Sequence, residues 1–217
     1  MSRKYFSQND ILAMDVLYRR TFMNTLSGFK PAFLIGTTNG QGTHNLGTFN
    51  SIVHIGANPP HIGFIMRPLT VPRHTYSNIA NTGHYTLNLI TAGFVDKAHQ
   101  CSAKYAQDES EFEATGLRPW FSESFPAPYV KEAPVKIGLR FAEKHHIASN
   151  DVWLIVGEVM EVILEHDDLL QNDGFLALHE VQGVSALGLD AYYLPAPLRR
   201  FAYARPHQKL KQLPFKQ

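Results

Sequence analysis

Apolar positions change period along this chain. Between residues 8 and 27, Ile11, Met14, Tyr18 and Phe22 recur three or four places apart, the spacing of one helix face. Ser7 followed by Asp10 forms a capping box and Gly28 suits the stop, so one helix packed on the body is predicted there. From Pro31 the pattern turns to strands. "AFLIGTT" reads as a strand, and "NGQG" as a tight hairpin turn. A second strand is predicted from about Asn45 to Gly56, the proline pair of "NPP" breaks it, and "HIGFIM" returns as a third. Thr75 then caps a short helix that Gly83 ends, and "HYTLNLI" follows as a strand.

Two helical segments, "FVDKAHQCSAKY" and "ESEFEATG", come next, and the proline-rich "WFSESFPAPYVKEAP" must be extended. In "PVKIGLRF", Val135, Ile137, Leu139 and Phe141 alternate with polar or small residues. The hairpin "EKHHIASND" joins it to "DVWLIVGEVMEVIL", which is apolar on both faces for most of its length. An antiparallel meander with such a strand predicts a barrel that also packs against something outside, a helix or a second subunit.

One stretch departs from this pattern. "NLGTFNS", residues 45–51, lies between greasy strands yet carries two amides, a threonine, a serine and a glycine. It reads either as a solvent-facing edge strand or as the wall of a ligand cleft.

Composition narrows the class. With 44% hydrophobic and 18% charged residues among 217, the chain is expected to be a soluble globular protein. No run approaches a membrane span, and the N-terminus lacks the apolar core of a signal peptide. A single cysteine, Cys101, rules out an internal disulfide, and a cytoplasmic setting is expected. A net charge of +1 gives no general pull toward nucleic acid or membrane. From Arg199 onward, however, there are six Lys or Arg residues and no acid, the mark of a solvated or partner-draped tail. Three parts are expected: a helical extension over 1–27, a barrel domain over 28–195 and a basic tail over 196–217.

Common chemical signatures are missing. "GTTNGQG" lacks the dinucleotide spacing and sits in a hairpin rather than between a strand and a helix. The eleven histidines include no His-Glu-x-x-His, and the adjacent His145 and His146 point to opposite faces of a strand. No Gly-x-Ser-x-Gly elbow exists, and Cys101 reads as an ordinary buried thiol. What stands up is a set of three segments. Asn45, Thr48, Asn50 and Ser51 line the polar strand. Arg67, Thr70, Arg73, His74 and Thr75 gather cations and hydroxyls at a helix start, which suits a phosphate. "CSAKY" adds Ser102, Lys104 and Tyr105. An anion site beside small polar groups suits a mononucleotide whose ring lies along the strand.

The stretches "NLGTFNSIVHIGANPPHIGFIMRP", "RHTYSNIANTGHYTLNLI", "CSAKYAQDESEFEATGL", "KEAPVKIGLRF", "GEVMEVILEHDDLL" and "ALGLDAYY" carry a resemblance to the flavin reductase-like family of FMN-binding split barrels, over about residues 28–193. The resemblance implies a mainly β fold: a Greek-key split β-barrel with an N-terminal helix and short peripheral helices. It implies a homodimer with FMN near the subunit interface. It also implies cofactor-binding roles for Asn45, Leu46, Gly47, Thr48, Phe49, Asn50, Ser51, Arg67, Arg73, His74 and Thr75, with Ser102, Lys104 and Tyr193 as secondary candidates. Where the family often has a lysine-aspartate pair, this chain has Arg73 and His74, which keeps the cation and changes its reach. The implied activity is reduction of bound FMN by NADH or NADPH, with electrons passed to a free flavin or another acceptor. The rival readings are an FMN-binding electron carrier without turnover and a barrel scaffold that has lost the ligand.

Overall fold

Burial with period two runs through the centre of the chain and places the core on both sides of one sheet. The computed structural model describes residues 3–215. Its first elements are α1 (Gln8–Ala13) and α2 (Val16–Leu26). Strands β1 (Lys30–Pro31), β2 (Phe33–Thr38), β3 (His44–Phe49), β4 (Ile52–Ala57) and β5 (Pro60–Met66) follow, then α3 (His74–Thr82) and β6 (His84–Leu89). After these come α4 (Val95–Gln100), α5 (Glu111–Thr115), β7 (Pro119–Trp120), β8 (Tyr129–Val130) and the long pair β9 (Val135–Ile147) and β10 (Val152–Leu164). Short strands β11 (Ser185–Leu187), β12 (Ala191–Tyr193), β13 (Arg200–Phe201) and β14 (Gln212–Leu213) end the chain.

Seven strands form one antiparallel sheet in the order β3-β2-β6-β9-β10-β5-β4. Its edge strands, β3 and β4, are consecutive in sequence and joined only by Asn50 and Ser51. Laid flat, seven strands would separate their edges by about 29 Å, whereas three residue steps reach about 11 Å. The sheet must therefore curl until its edges approach, and Phe49 of β3 packs edge-on against Phe64 of β5 inside it, ring centroids 5.1 Å apart. This is the split barrel, mainly β with helices outside it.

Alternation along β2 fills two cores. Phe33 and Ile35 point into the barrel with Phe64, Tyr85, Leu87, Leu139 and Ile155. Leu34 points outward with Leu46, Ala98, Phe112 and Val130, beneath α4 and α5. A strand greasy on both faces is thus explained by two layers.

Four expectations are corrected. The N-terminal helix is two helices, because Asp15 caps a second start by accepting from the amides of Leu17 (2.9 Å) and Tyr18 (3.0 Å). Neither helix contains a fully buried residue; of the apolar face, Ile11, Met14 and Phe22 are half-buried and Tyr18 is more than half exposed. "NGQG" is not a two-residue turn. The loop runs from Asn39 to Thr43, whose amides are gathered on the Asn39 side chain, with Gly40 and Gly42 at positive φ. The strand expected over 45–56 is broken at Asn50–Ser51 to pass from one sheet edge to the other. Arg73, not Thr75, caps α3; Thr75 lies inside the helix and its hydroxyl faces β3. The capping box at Ser7 and Asp10 and the left-handed stop at Gly83 form as read.

The basic tail is mostly exposed where described and touches the body at a few points. Arg200 donates to Asp173 (2.5 Å) and stacks its guanidinium over Phe175 (4.2 Å), while Phe215 packs on Phe175 and His179.

Candidate functional site

The polar segment 45–51 is the edge strand β3 and the seam that follows it. Its side chains are largely committed to protein partners. Asn45 is 7% exposed. Its amide nitrogen donates to both oxygens of Glu111 (2.8 and 2.7 Å), and its oxygen accepts from Thr75 (3.0 Å) and Thr37 (3.3 Å). Leu46 is fully buried in the outer core, so its side chain faces no cleft. The Thr48 hydroxyl donates to the Ala98 carbonyl at the end of α4. Phe49 packs edge-on against Phe64 in the barrel. Asn50 donates to the Gly188 carbonyl (2.8 Å). The picture of free amides and hydroxyls along the strand is corrected: alternation sends Leu46, Thr48 and Asn50 to the outer layer, and Asn45, Gly47 and Phe49 toward the barrel and α3.

The backbone edge is what stays open. The Leu46 amide donates to Glu111 (2.9 Å) rather than to β2, so it points away from the sheet. By the strand period, the amides and carbonyls of Thr48 and Asn50 point the same way, and no described backbone group pairs with them. Gly47 lets the layers close here. A β-carbon on it would lie 2.8 Å from the Phe49 ring and 3.1 Å from the Thr75 hydroxyl.

The start of α3 presents free amides beside two arginines. Its first-turn amides have no intrahelical acceptor, and no acid sits in the first turn. Arg73 is half-buried, and its Nε donates to the Pro68 carbonyl (3.3 Å), which orients the guanidinium and leaves its two terminal nitrogens without a described partner. Arg67 is exposed and makes no described hydrogen bond or ion pair. His74 lines a small pocket of about 90 Å³ with Asn39, Asn45, Ser77, Asn78 and Glu109. Beyond the other end of the segment, an open, largely apolar groove of about 490 Å³ runs past Asn50 and Ser51 between Phe29, Val53, Ile55, Ile65 and Leu154.

The secondary candidates lie apart. Ser102 and Lys104 are exposed on the loop after α4, with no described side-chain bond. Tyr193, on β12, packs its ring against Phe29 at 4.9 Å, at the border of the groove. Glu111 was not singled out in the sequence, because one acid among several in "ESEFEATG" carries no sign of burial. It is 5% exposed in the fold, and burial raises its pKa above the ordinary carboxylate range, against the pull of its donors. Cys101 is buried, and burial pushes its thiol up to about 11. Among the described residues no group of three or more His, Cys, Asp and Glu could hold a metal ion, and no helix is long and apolar enough to cross a membrane.

A model of the flavin reductase like domain matches residues 26–179. The chain belongs to the flavin reductase-like family. A split-barrel protein from Shewanella frigidimarina NCIMB 400, classed as a flavin reductase, is 44% identical over 93% of this chain and all of its own, with a TM-score of 0.89. Flavoredoxin of Desulfovibrio vulgaris is 24% identical over 82% of this chain and 91% of its own, with a TM-score of 0.67. An FMN-binding protein from Thermus thermophilus is 17% identical over 94% of this chain and all of its own, with a TM-score of 0.69. At these identities the last two establish likeness of fold.

The donor set of this family member fits a flavin mononucleotide. A flat ring with a polar edge requires hydrogen-bonding groups in a row and apolar neighbours; the open β3 edge and the groove offer both. A phosphate requires cations and amides; Arg67, Arg73 and the α3 start offer those.

Proposed function

We propose that this protein binds FMN along the open edge of β3 and reduces it with NADH or NADPH. The observation that carries the reading is the unpaired backbone of Thr48 and Asn50 beside a helix start flanked by Arg67 and Arg73. The flavin-related names of the relatives support it. When bound, the flavin supplies the hydride-accepting chemistry, so no general base is required of the protein. The residues of the chain bind and orient. Arg67, Arg73 and the first amides of α3 hold the phosphate. Outward amides of Thr48 and Asn50 donate to the polar edge of the ring, where a donor favours the negative charge of the reduced state. Ser51, whose hydroxyl has no described partner, stands at the ring end, and the apolar groove keeps water from one face.

Anaerobic stopped-flow mixing of the flavin-loaded protein with NADH, and separately with NADPH, is expected to bleach the flavin absorbance with at least one of them. A flavin bound tightly and unchanged by both would point instead to an electron carrier reduced by another protein.

The same reading includes a homodimer. Val53 and Ile55 on the edge strand β4 are 42% and 46% exposed and line the open apolar groove with Ile65 and Leu154, a surface that no described residue covers. Sedimentation at micromolar concentration is expected to give the mass of two chains; a single-chain mass would remove the dimer.

A further inference from the structure

The buried polar chain behind β3 has a direction, and one residue fixes it. Glu111 on α5 accepts from the Asn45 amide nitrogen and from the Leu46 amide. A carboxylate has no proton to donate, so it compels Asn45 to turn its nitrogen toward α5 and its oxygen toward α3. That oxygen then draws in the hydroxyl protons of Thr75 and Thr37, and Thr37 in turn accepts from Asn78 (3.0 Å). The chain ends at α3, where Thr75 and Asn78 are each 8% exposed and Asn78 borders the pocket next to His74. With Glu111 ionised, the Thr75 proton is committed inward and faces no ligand.

A proton on Glu111 permits the reverse arrangement, in which Thr75 and Asn78 each keep a donor for a ligand. The acid hydroxyl donates to the Asn45 oxygen, and the other Glu111 oxygen keeps the Leu46 amide. The Asn45 nitrogen donates to Thr75 and Thr37, and Thr37 donates to the Asn78 oxygen. The Thr75 hydroxyl and the Asn78 nitrogen are then free to donate at the helix start. Anions require donors, so the two arrangements differ in their affinity for a phosphate there.

We infer that Glu111 is a positioning residue that sets the hydrogen-bond direction of Asn45 and Thr75, so that an anion at the start of α3 and a proton on Glu111 bind together. This rests on the reading that the α3 start takes the FMN phosphate. The proton comes from solvent, and no other bond changes. The surroundings agree with a carboxyl that can take up a proton. No Lys or Arg pairs with Glu111 among the described residues. The titratable groups facing it or on its own segment are His74 from α3, Cys101 after α4, His44 at the start of β3, and Glu109 and Glu113. Burial favours its neutral form, which extends proton binding above the ordinary carboxylate range. By linkage, what the anion does for the proton the proton does for the anion.

The experiment is calorimetric titration of the full chain with FMN and with riboflavin, in two buffers of different ionisation enthalpy. Wild type is expected to take up more protons with FMN than Glu111→Gln does, the phosphate's own titration near about pH 6 being common to both. Glutamine reproduces the neutral acid: its nitrogen donates to Asn45 and its oxygen keeps the Leu46 amide. At about pH 8, Glu111→Gln should therefore bind FMN about threefold to tenfold more tightly than wild type, with riboflavin unchanged. Adding Thr75→Val should remove the gain. Equal proton uptake in wild type and Glu111→Gln overturns the inference, and so does an equal gain for both flavins. A wild type that binds neither flavin overturns the flavin reading itself, and the inference with it.

Discussion

Arg73→Ala is expected to weaken FMN binding by about 1.5–3 kcal/mol, roughly tenfold to 150-fold in Kd, and riboflavin binding far less. Arg73 stands at the N-cap of α3 and offers no side-chain cap to the helix. Its Nε is anchored on Pro68, so the guanidinium is held before a ligand arrives and little further ordering is required on binding. The phosphate is the one part of FMN that riboflavin lacks, so the ratio of the two losses reads the contact itself. Flavin fluorescence quenching measures both. Equal losses would place Arg73 away from the phosphate. Arg73→Lys is expected to fall between, since a lysine keeps the charge and loses the fork.

Gly36→Ala is expected to destabilise the fold by about 3 kcal/mol, a fall of roughly 6–12 °C in Tm for a chain of this size. Gly36 sits mid-strand in β2, paired with Leu46 on one side and Thr86 on the other. A β-carbon there would lie 2.2 Å from the Pro128 carbonyl oxygen and 2.6 Å from the Thr86 hydroxyl. These two groups are bonded to each other (2.6 Å), and Asn88 ties the same segment down through the Val130 amide (2.8 Å). A backbone oxygen cannot rotate out of the way, so either the 127–130 segment lifts from the sheet or β2 shifts under β3. Gly56→Ala is the control, because an added carbon there meets nothing nearer than 3.7 Å. Thermal unfolding monitored by circular dichroism decides; a Tm equal to that of wild type would mean that the close approach is not a constraint.

Much of the architecture was legible because it depends on local rules. The two-faced "DVWLIVGEVMEVIL" gave β10 within a residue and the alternation in "PVKIGLRF" gave the start of β9, whose end runs on to Ile147 through residues read as the hairpin, and Gly83 gave the end of α3. The errors fell where two local signals competed. At Asp15 an internal capping residue outweighed a continuous apolar face. At Asn50–Ser51 the chain had to leave one sheet edge for the other, a demand no strand propensity records. Thr75 looked like a cap from its position, but its hydroxyl was worth more bonded to the buried Asn45 than to a first-turn amide.

The candidate site divides in the same way. The sequence by itself determined which groups are present: a stretch of small polar residues between greasy strands, two arginines before a helix, and one glycine where layers close. Residue type, spacing and turn chemistry suffice for that, since each acts within a few positions. Only the tertiary structure decided what those groups face. Alternation is blind to which side is covered, so sequence could not tell that Thr48 and Asn50 spend their side chains on Ala98 and Gly188 and leave their backbone open. Nor could it bring Glu111 to Asn45, a contact 66 residues apart in the chain that exists because α5 packs on the outer edge of β3. The candidate edge is defined by the β-strand that is missing beside β3, and the absence of a neighbour is a property of the whole sheet.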